Sequence, residues 1–429
     1  MNSASLAIKN AASPEKALHI YTQMQRQAHI LDSFSILFTL KSCTKLQNPT
    51  LIRHLHAHLL KWGFSSHVYV ATALLNAYVS SSFTDTCQLF DEMPVRNIVT
   101  WNTMVTGYSR IGDVEKARGV FETMPFRNLA SWSAMIAGYM SSGSWSKGLM
   151  LFRKMVNERL MPDQYTLCSS IMACSYMGSI GLLLGKSLTG FAIKNGWTLK
   201  VELGTVLVDM YAKCGHLKNA YLIFDMMEDR NVISWTALIC GAAQHGYGNE
   251  AISKFNEMIR TGVKPNELTF TGILSACAQA GLVEDGQNYF RMITESGLKP
   301  RIQHYGCMVD LFGKAGKLKE AYEIIETLPF EPNVFVWSSF LSSCKLHKQF
   351  EMAERVVDRI LGSVRPENHG GVYTLVCDLY NLNDKCSEAE RVRKLMVEQN
   401  VKKPRGSSFI TGGRSQMDPC LKTNLCVQL

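Results

Sequence analysis

Apolar residues recur along this chain at the i, i+4, i+7 spacing of one helix face. Ala117–Phe121–Met124 and Ala251–Phe255–Met258 carry the pattern, and Ala17–Tyr21–Met24, Ala220–Phe224–Met227 and Ala321–Ile325–Leu328 repeat it. That period puts each set on a single stripe of an amphipathic helix. The small residue lets a second helix approach, and the large ones fill the gap to a neighbouring unit. A further apolar segment precedes each stripe. Gly112, Gly143, Gly215, Gly246, Gly281 and Gly316 fall between the two, where a reversal of direction needs φ > 0. The pattern predicts pairs of helices.

The pairs are copies of one another. NIVTWNTMVTGYSRIGDVEKARGVFETMPFR (97–127), NLASWSAMIAGYMSSGSWSKGLMLFRKM (128–155) and NVISWTALICGAAQHGYGNEAISKFNEM (231–258) align with Asn97, Asn128 and Asn231 in step. Trp101, Trp132 and Trp235 also coincide, as do Gly107, Gly138 and Gly241. A second variant without the tryptophan runs through 33–48, 164–179 and 267–282, and a third through 201–220 and 304–321. Repeats counted from the residue after the boundary Asn or Asp begin at Ser33, Val68, Ile98, Leu129, Gln164, Val201, Val232, Glu267, Ile302 and Val334. Consecutive starts are about 30 to 37 residues apart, the period of helical-repeat arrays. One helical hairpin cannot bury its stripe alone, so the units are expected to stack into a superhelix with one concave face.

Composition narrows the function classes. The chain has 429 residues, 46% of them apolar, and its mean hydropathy is near zero, so it can bury a core. Lys and Arg number 45 against 36 Asp and Glu, a net charge of +9. That surplus is compatible with a polyanionic partner but is mild for this length. No apolar run is long enough to span a membrane, and the start, MNSASLAIKNAASPEKAL, lacks signal-peptide architecture and is too short for an organellar transit segment. The 13 cysteines are scattered singly and form no C-x-x-C, which points to reduced thiols and away from a zinc site.

Hairpins of this length suit tetratricopeptide repeats, which bind peptides, or pentatricopeptide repeats, which bind RNA. VTWNTMVTGYSRIGDVEKARGVFETMP, ISWTALICGAAQHGYGNEAISKFNEMIRTGVKPN and VLVDMYAKCGHLKNAYLIFDMM resemble pentatricopeptide repeats almost phrase for phrase. The tetratricopeptide signature is not seen. The alternation of unit lengths resembles the plant subclass built from triplets of three variants. The resemblance implies an all-α, right-handed superhelical solenoid. Its repeats would occupy 33–67, 68–97, 98–128, 129–163, 164–200, 201–231, 232–266, 267–301 and 302–333, after a truncated first repeat in 1–32. Residues 334–410 resemble the helical extension of RNA-editing members, while 411–429 match nothing in the family. Members of this kind select a cytidine in organellar RNA for deamination to uridine. The resemblance therefore implies a single-stranded RNA partner in the mitochondrion or, alternatively, the chloroplast, with no targeting segment visible here.

Family members read one base per repeat through the fifth residue of the first helix and the last residue of the repeat. By that resemblance the pairs are Thr72 with Asn97, Asn102 with Asn128, Ser133 with Asp163, Thr205 with Asn231, and Thr236 with Asn266. Val99, Ala130 and Ile233, each the second residue of a repeat, would pack against a base plane. The expected reading is adenine, pyrimidine, guanine, a gap for the long unit 164–200, then adenine and adenine. Leu37 and Cys168 hold the fifth position in two long units and offer little; Thr271 with Arg301 and Gly306 with Asn333 are weak pairs. Asn, Asp, Ser and Thr are also favoured as plain helix caps.

No catalytic constellation assembles. A zinc cytidine deaminase needs H-x-E with P-C-x-x-C. No H-x-E occurs, and Pro419–Cys420 is followed only by the distant Cys426. The chain reads as a non-enzyme without cofactor, metal or small-molecule substrate, relying on a cytidine deaminase and other editing-complex proteins supplied as separate chains. His54 and His58 stand at i, i+4 without a third metal ligand. Cys43, Cys174, Cys277 and Cys344 recur on an apolar face, which suggests packing. Trp101, Trp132, Trp235 and Trp337 suit inter-helix core better than a base-stacking platform. Organellar splicing, processing or transcript protection is the second reading, and a tetratricopeptide-like protein scaffold the third.

Overall fold

The computed structural model describes residues 3–27, 32–64, 67–363 and 370–398, and every regular element among them is an α-helix. The tail 411–429, with Cys420 and Cys426, and the end of the extension lie outside the described residues. The helices fall into two compact units, divided between Met177 and Gly178.

The first unit holds α1 (Ser3–Lys9), α2 (Pro14–Arg26), α3 (Ser33–Leu46), α4 (Pro49–Lys61), α5 (Val68–Val79), α6 (Phe83–Glu92), α7 (Ile98–Arg110), α8 (Val114–Thr123), α9 (Leu129–Ser141), α10 (Trp145–Asn157) and α11 (Gln164–Cys174). The second holds α12 (Gly178–Lys194), α13 (Val201–Lys213), α14 (Leu217–Met226), α15 (Val232–Gln244), α16 (Gly248–Arg260), α17 (Glu267–Ala280), α18 (Val283–Glu295), α19 (Ile302–Lys314), α20 (Leu318–Glu326), α21 (Val334–Leu346), α22 (Phe350–Ser363), α23 (Gly370–Leu382) and α24 (Cys386–Glu398).

Within each unit the odd-numbered helices pack side by side as one layer, and each even-numbered helix packs on its own partner and on the next odd one. The sequence dictates both layers. Ala117, Phe121 and Met124 are buried, as are Ala251, Phe255 and Met258, so the stripe seen in the sequence is the seam between neighbouring repeats. Gly112 and Gly281 turn the chain with φ of +84° and +70°, a conformation that L side chains rarely adopt. In the odd layer, a Cβ on Gly241 would collide with Ala212, so α13 and α15 approach at a point only glycine permits. None of the described helices is long and apolar enough to cross a membrane.

The tryptophans are core. Trp132, Trp235 and Trp337 are at most 1% exposed. Trp132 meets Phe121 edge-on at 5.2 Å, Trp235 meets Phe224 at 4.6 Å, and the partly buried Trp101 meets Phe90 at 5.1 Å. Each pair joins an even helix to the following odd one, a geometry worth roughly 0.5–1.5 kcal/mol beyond burial. The recurring cysteines are core too: burial pushes the Cys43 thiol up to about 11 and those of Cys277 and Cys344 to about 12. They stay protonated and unreactive.

Beside each Trp–Phe pair stands an arginine. Arg127 donates from Nε to the Phe121 carbonyl at 2.8 Å and from a terminal nitrogen to the Glu122 carbonyl at 2.6 Å. Its guanidinium also lies 5.0 Å from the Phe121 ring centre. Arg96 on Phe90 and Asp91, and Arg230 on Phe224 and Asp225, do the same. These bonds satisfy the carbonyls left open where an even helix ends. The next residue in each case, Asn97, Asn128 or Asn231, caps the start of the following helix. Two adjacent side chains thus close one helix and open the next.

Candidate nucleic-acid interface

The predicted reading residues lie on the odd-numbered helices of each unit and at the caps that open them. Asn97, Asn128, Asp163, Asn231, Asn266 and Asn333 are N-caps, each with a side-chain oxygen accepting a backbone N–H of the following helix. Capping occupies only part of each side chain. It consumes one oxygen, fixes the side-chain torsions, and leaves the other half of the amide or carboxylate for another partner.

In one repeat that partner is the fifth residue of the preceding odd helix, and in a second the fifth residue reaches the capping oxygen itself. The Asn97 amide donates to the Thr72 hydroxyl at 3.3 Å, and the Asn102 amide reaches the Asn128 oxygen at 3.5 Å, the latter a weak bond. Elsewhere the link runs through the third residue of the next helix. The Thr166 hydroxyl donates to Ser133 at 2.7 Å while its backbone N–H is capped by Asp163 at 2.8 Å. The Thr269 and Thr236 hydroxyls lie 2.6 Å apart, and Thr269 donates to Asn266 at 2.9 Å. Thr205 and Asn231 make no such bond.

Several of these groups are less open than base reading alone would suggest. Thr72 is 7% exposed and Thr236 3%. Both hydroxyls donate back to the carbonyl four residues earlier, Val68 at 2.6 Å and Val232 at 2.7 Å. Thr271 bonds likewise to Glu267, whose carboxylate also holds Arg301 at 2.8 Å. Asn333 caps α21, but its partner position Gly306 lies beneath the Phe335 ring, where a Cβ would have no room.

The second residues stand out instead. Val99 and Ile233 are 49% and 58% exposed, and Ala130 is also exposed. Phe34, Tyr69, Tyr165 and Leu268 occupy the same place on their helices, with Tyr69 and Tyr165 70% and 87% exposed. A regular row of apolar groups in water suits flat, apolar partners. Sequence reasoning singled out the aliphatic members and passed over the aromatic ones. It also missed Thr166 and Thr269, whose only signal is that Ser or Thr recurs at the third position of most odd helices.

Cations at the ends of the odd helices differ from one another. Arg110, Lys213 and Lys314 end their helices, and Lys213 and Lys314 pair with Asp209 and Asp310 at 2.7 and 2.8 Å. Arg110 has no acidic partner among the described residues. His58 bonds to Gln25 at 2.9 Å, and among the described residues no three potential metal ligands gather.

Comparison with known proteins places this geometry. Residues 230–279 match the PPR repeat family, and 99–129, 130–160, 205–232, 268–298 and 304–328 each match a PPR repeat. A pentatricopeptide repeat-containing protein of Arabidopsis thaliana is 37% identical over 92% of this chain and 74% of its own length. A mitochondrial relative from the same plant is 36% identical over 93% of this chain and 82% of its own length. A chloroplastic one is 36% identical over 94% of this chain, which spans only 57% of that protein. Another pentatricopeptide relative there is spanned for 51% of its length. The crystal structure of the maize pentatricopeptide repeat protein PPR10 with an 18-nt RNA element superimposes with a TM-score of 0.69 at 18% identity, over 94% of this chain and 64% of that one. By repeat matches, sequence identity and fold, this chain belongs to the pentatricopeptide repeat family.

Proposed function

We propose that this protein binds single-stranded RNA sequence-specifically along the odd-helix face and serves as a site-recognition factor for organellar cytidine-to-uridine editing. The observation that carries the reading is the recurring contact between the two residues of a repeat. Asn97 meets Thr72, Asn102 meets Asn128, and a threonine bridges Ser133 to Asp163 and Thr236 to Asn266. Paired polar groups set beside a row of exposed apolar side chains suit a nucleobase, which offers a hydrogen-bonding edge and a flat face. The maize structure of the same fold holds an RNA element. The editing role rests on α21–α24, which follow the last coded repeat where editing relatives carry their extension; the deaminase is then a separate chain. The existence of mitochondrial and chloroplastic relatives supports an organellar site, and the mitochondrion is the proposed one.

The test is to titrate purified protein against a randomised single-stranded RNA pool and sequence the bound fraction. Enrichment of A-Y-G-N-A-A supports the reading. Binding without sequence preference, or no binding, overturns it.

A further inference from the structure

Four buried side-chain polar atoms lack a hydrogen-bond partner among the described residues: Asn102 Oδ1, Thr205 Oγ1, Tyr221 Oη and Trp337 Nε1. Two of them belong to fifth residues of odd helices. That overlap separates the reading positions into two kinds. Thr72, Thr236 and Thr271 each spend their hydroxyl hydrogen on a carbonyl one turn back, and Ser133 accepts from Thr166. Thr205 has the same place on its helix, four residues after Val201, yet makes no such bond. Asn102 has only the long contact from its amide to Asn128, and its oxygen has nothing.

Asn102 Oδ1 and Thr205 Oγ1 are shielded from solvent as they stand, but both residues are only half-buried, so a side-chain rotation presents the atom, and a ligand atom that bonds to it then relieves the cost of the lost water. A satisfied hydroxyl must exchange one bond for another, which gains little. A wrong base opposite Asn102 or Thr205 leaves the group orphaned, whereas a wrong base opposite Thr72 or Thr236 leaves the internal bond intact. We infer that base discrimination by this protein is concentrated in repeats 98–128 and 201–231, the other fifth residues contributing position more than selectivity. The inference rests on the proposed RNA reading and sharpens it. The two repeats stand three apart in the chain, so the discriminating signature is a pyrimidine and an adenine separated by two tolerant bases, Y-N-N-A.

Fluorescence anisotropy with the A-Y-G-N-A-A RNA and its single-base variants tests this. Changing the base opposite Asn102 or Thr205 is expected to weaken binding about tenfold or more, and changing the one opposite Thr72 or Thr236 less than about threefold. Equal penalties at all four, or larger ones opposite Thr72 and Thr236, overturn the inference while the RNA reading survives. Loss of all sequence preference removes the reading itself. Two isosteric variants give a readout independent of RNA. Thr205→Val removes a hydroxyl without a partner, so Tm holds or rises while selectivity at that base disappears. Thr236→Val removes two bonds, so Tm falls. A fall in Tm for Thr205→Val as large as that for Thr236→Val also overturns the inference.

Discussion

The amide nitrogen of Asn97 donates to the Thr72 hydroxyl while its carbonyl oxygen accepts the Thr100 backbone N–H at 2.9 Å. One terminal group thus serves the fold with its oxygen and the neighbouring repeat with its nitrogen. Asn97→Asp keeps the capping oxygen, since Asp and Asn cap about equally, and turns the donor into an acceptor. Tm should stay within about 2 °C of the parent, a shift of about 1 kcal/mol or less for a unit of this size. The weak preference opposite this repeat should shift from adenine, which offers an acceptor at N1, toward guanine, which offers donors. Asn97→Ala should lose the cap and about 1 kcal/mol. Thermal melts together with RNA selection check both; unchanged adenine preference in the Asp variant would show that the amide does not read.

The arginine closures predict an asymmetry between arginine and lysine. Arg230 holds two carbonyls of α14 at 2.9 and 3.0 Å and lies over Phe224. Arg230→Met should destabilise the second unit by about 1–3 kcal/mol, the usual worth of charge-assisted bonds. Lysine should restore less than half of that, because an ammonium cannot reproduce a planar two-pronged donor. Urea unfolding of the three proteins decides it, and full rescue by lysine would count against the two-carbonyl geometry.

Buried His304 supplies a pH dependence. Its Nδ1 accepts the Arg301 backbone N–H at 3.0 Å and its Nε2 faces the Glu267 carbonyl at 2.8 Å, so the neutral ring is the one that fits. Burial holds its pKa below the usual 6.5; the bond and charge of Glu267 oppose that shift, and Arg301 reinforces it. Above pH 6.5 the ring is neutral in both folded and unfolded chains, and its contribution is complete. As pH falls below 6.5 the unfolded chain takes up the proton first, and stability is lost down to the lower folded value. Protection factors in α19, the exchange rates referred to the intrinsic rate at each pH, should therefore fall between pH 7 and 5.5, and His304→Thr, the residue type used at the same place in α17, should flatten that response.

Salt titrations should separate the cations. Removing a phosphate contact lowers the slope of log K against log salt by roughly 0.7 for a single strand. Arg110→Ala should show a reduction of that order. Lys213→Ala and Lys314→Ala should show less, because Asp209 and Asp310 already neutralise those ammonium groups. A larger effect at Lys213 than at Arg110 would mean that the ion pairs open when RNA binds.

Much of the fold was legible because it depends on local period and local torsion. The stripe Ala117–Phe121–Met124 and the turn at Gly112 need only a few neighbouring residues, and both sit where the spacing put them. Burial of Trp132 and Trp235 followed from their apolar neighbours. Contacts between repeats were less visible. The Thr166–Ser133 and Thr269–Thr236 links join residues 33 apart in the chain, and nothing in either local segment announces them. Arg96, Arg127 and Arg230 escaped notice because their partners are backbone carbonyls, which carry no sequence signal. The cap at Asn97 was legible from residue type, whereas the reach of its nitrogen to Thr72 was not.

The caps have a consequence for rearranging such proteins. Asn128 is the last residue of its own repeat, yet it anchors the helix of the next, and Thr269 sets the hydroxyl environment of Thr236 one repeat earlier. In the proposed reading, the segment that folds and the segment that reads are therefore out of phase. A repeat transplanted as a block from its first residue to its last would bring a fifth residue into the new host without the threonine that steadies it. Grafts cut a few residues into the following helix, past its third position, should carry a specificity across intact.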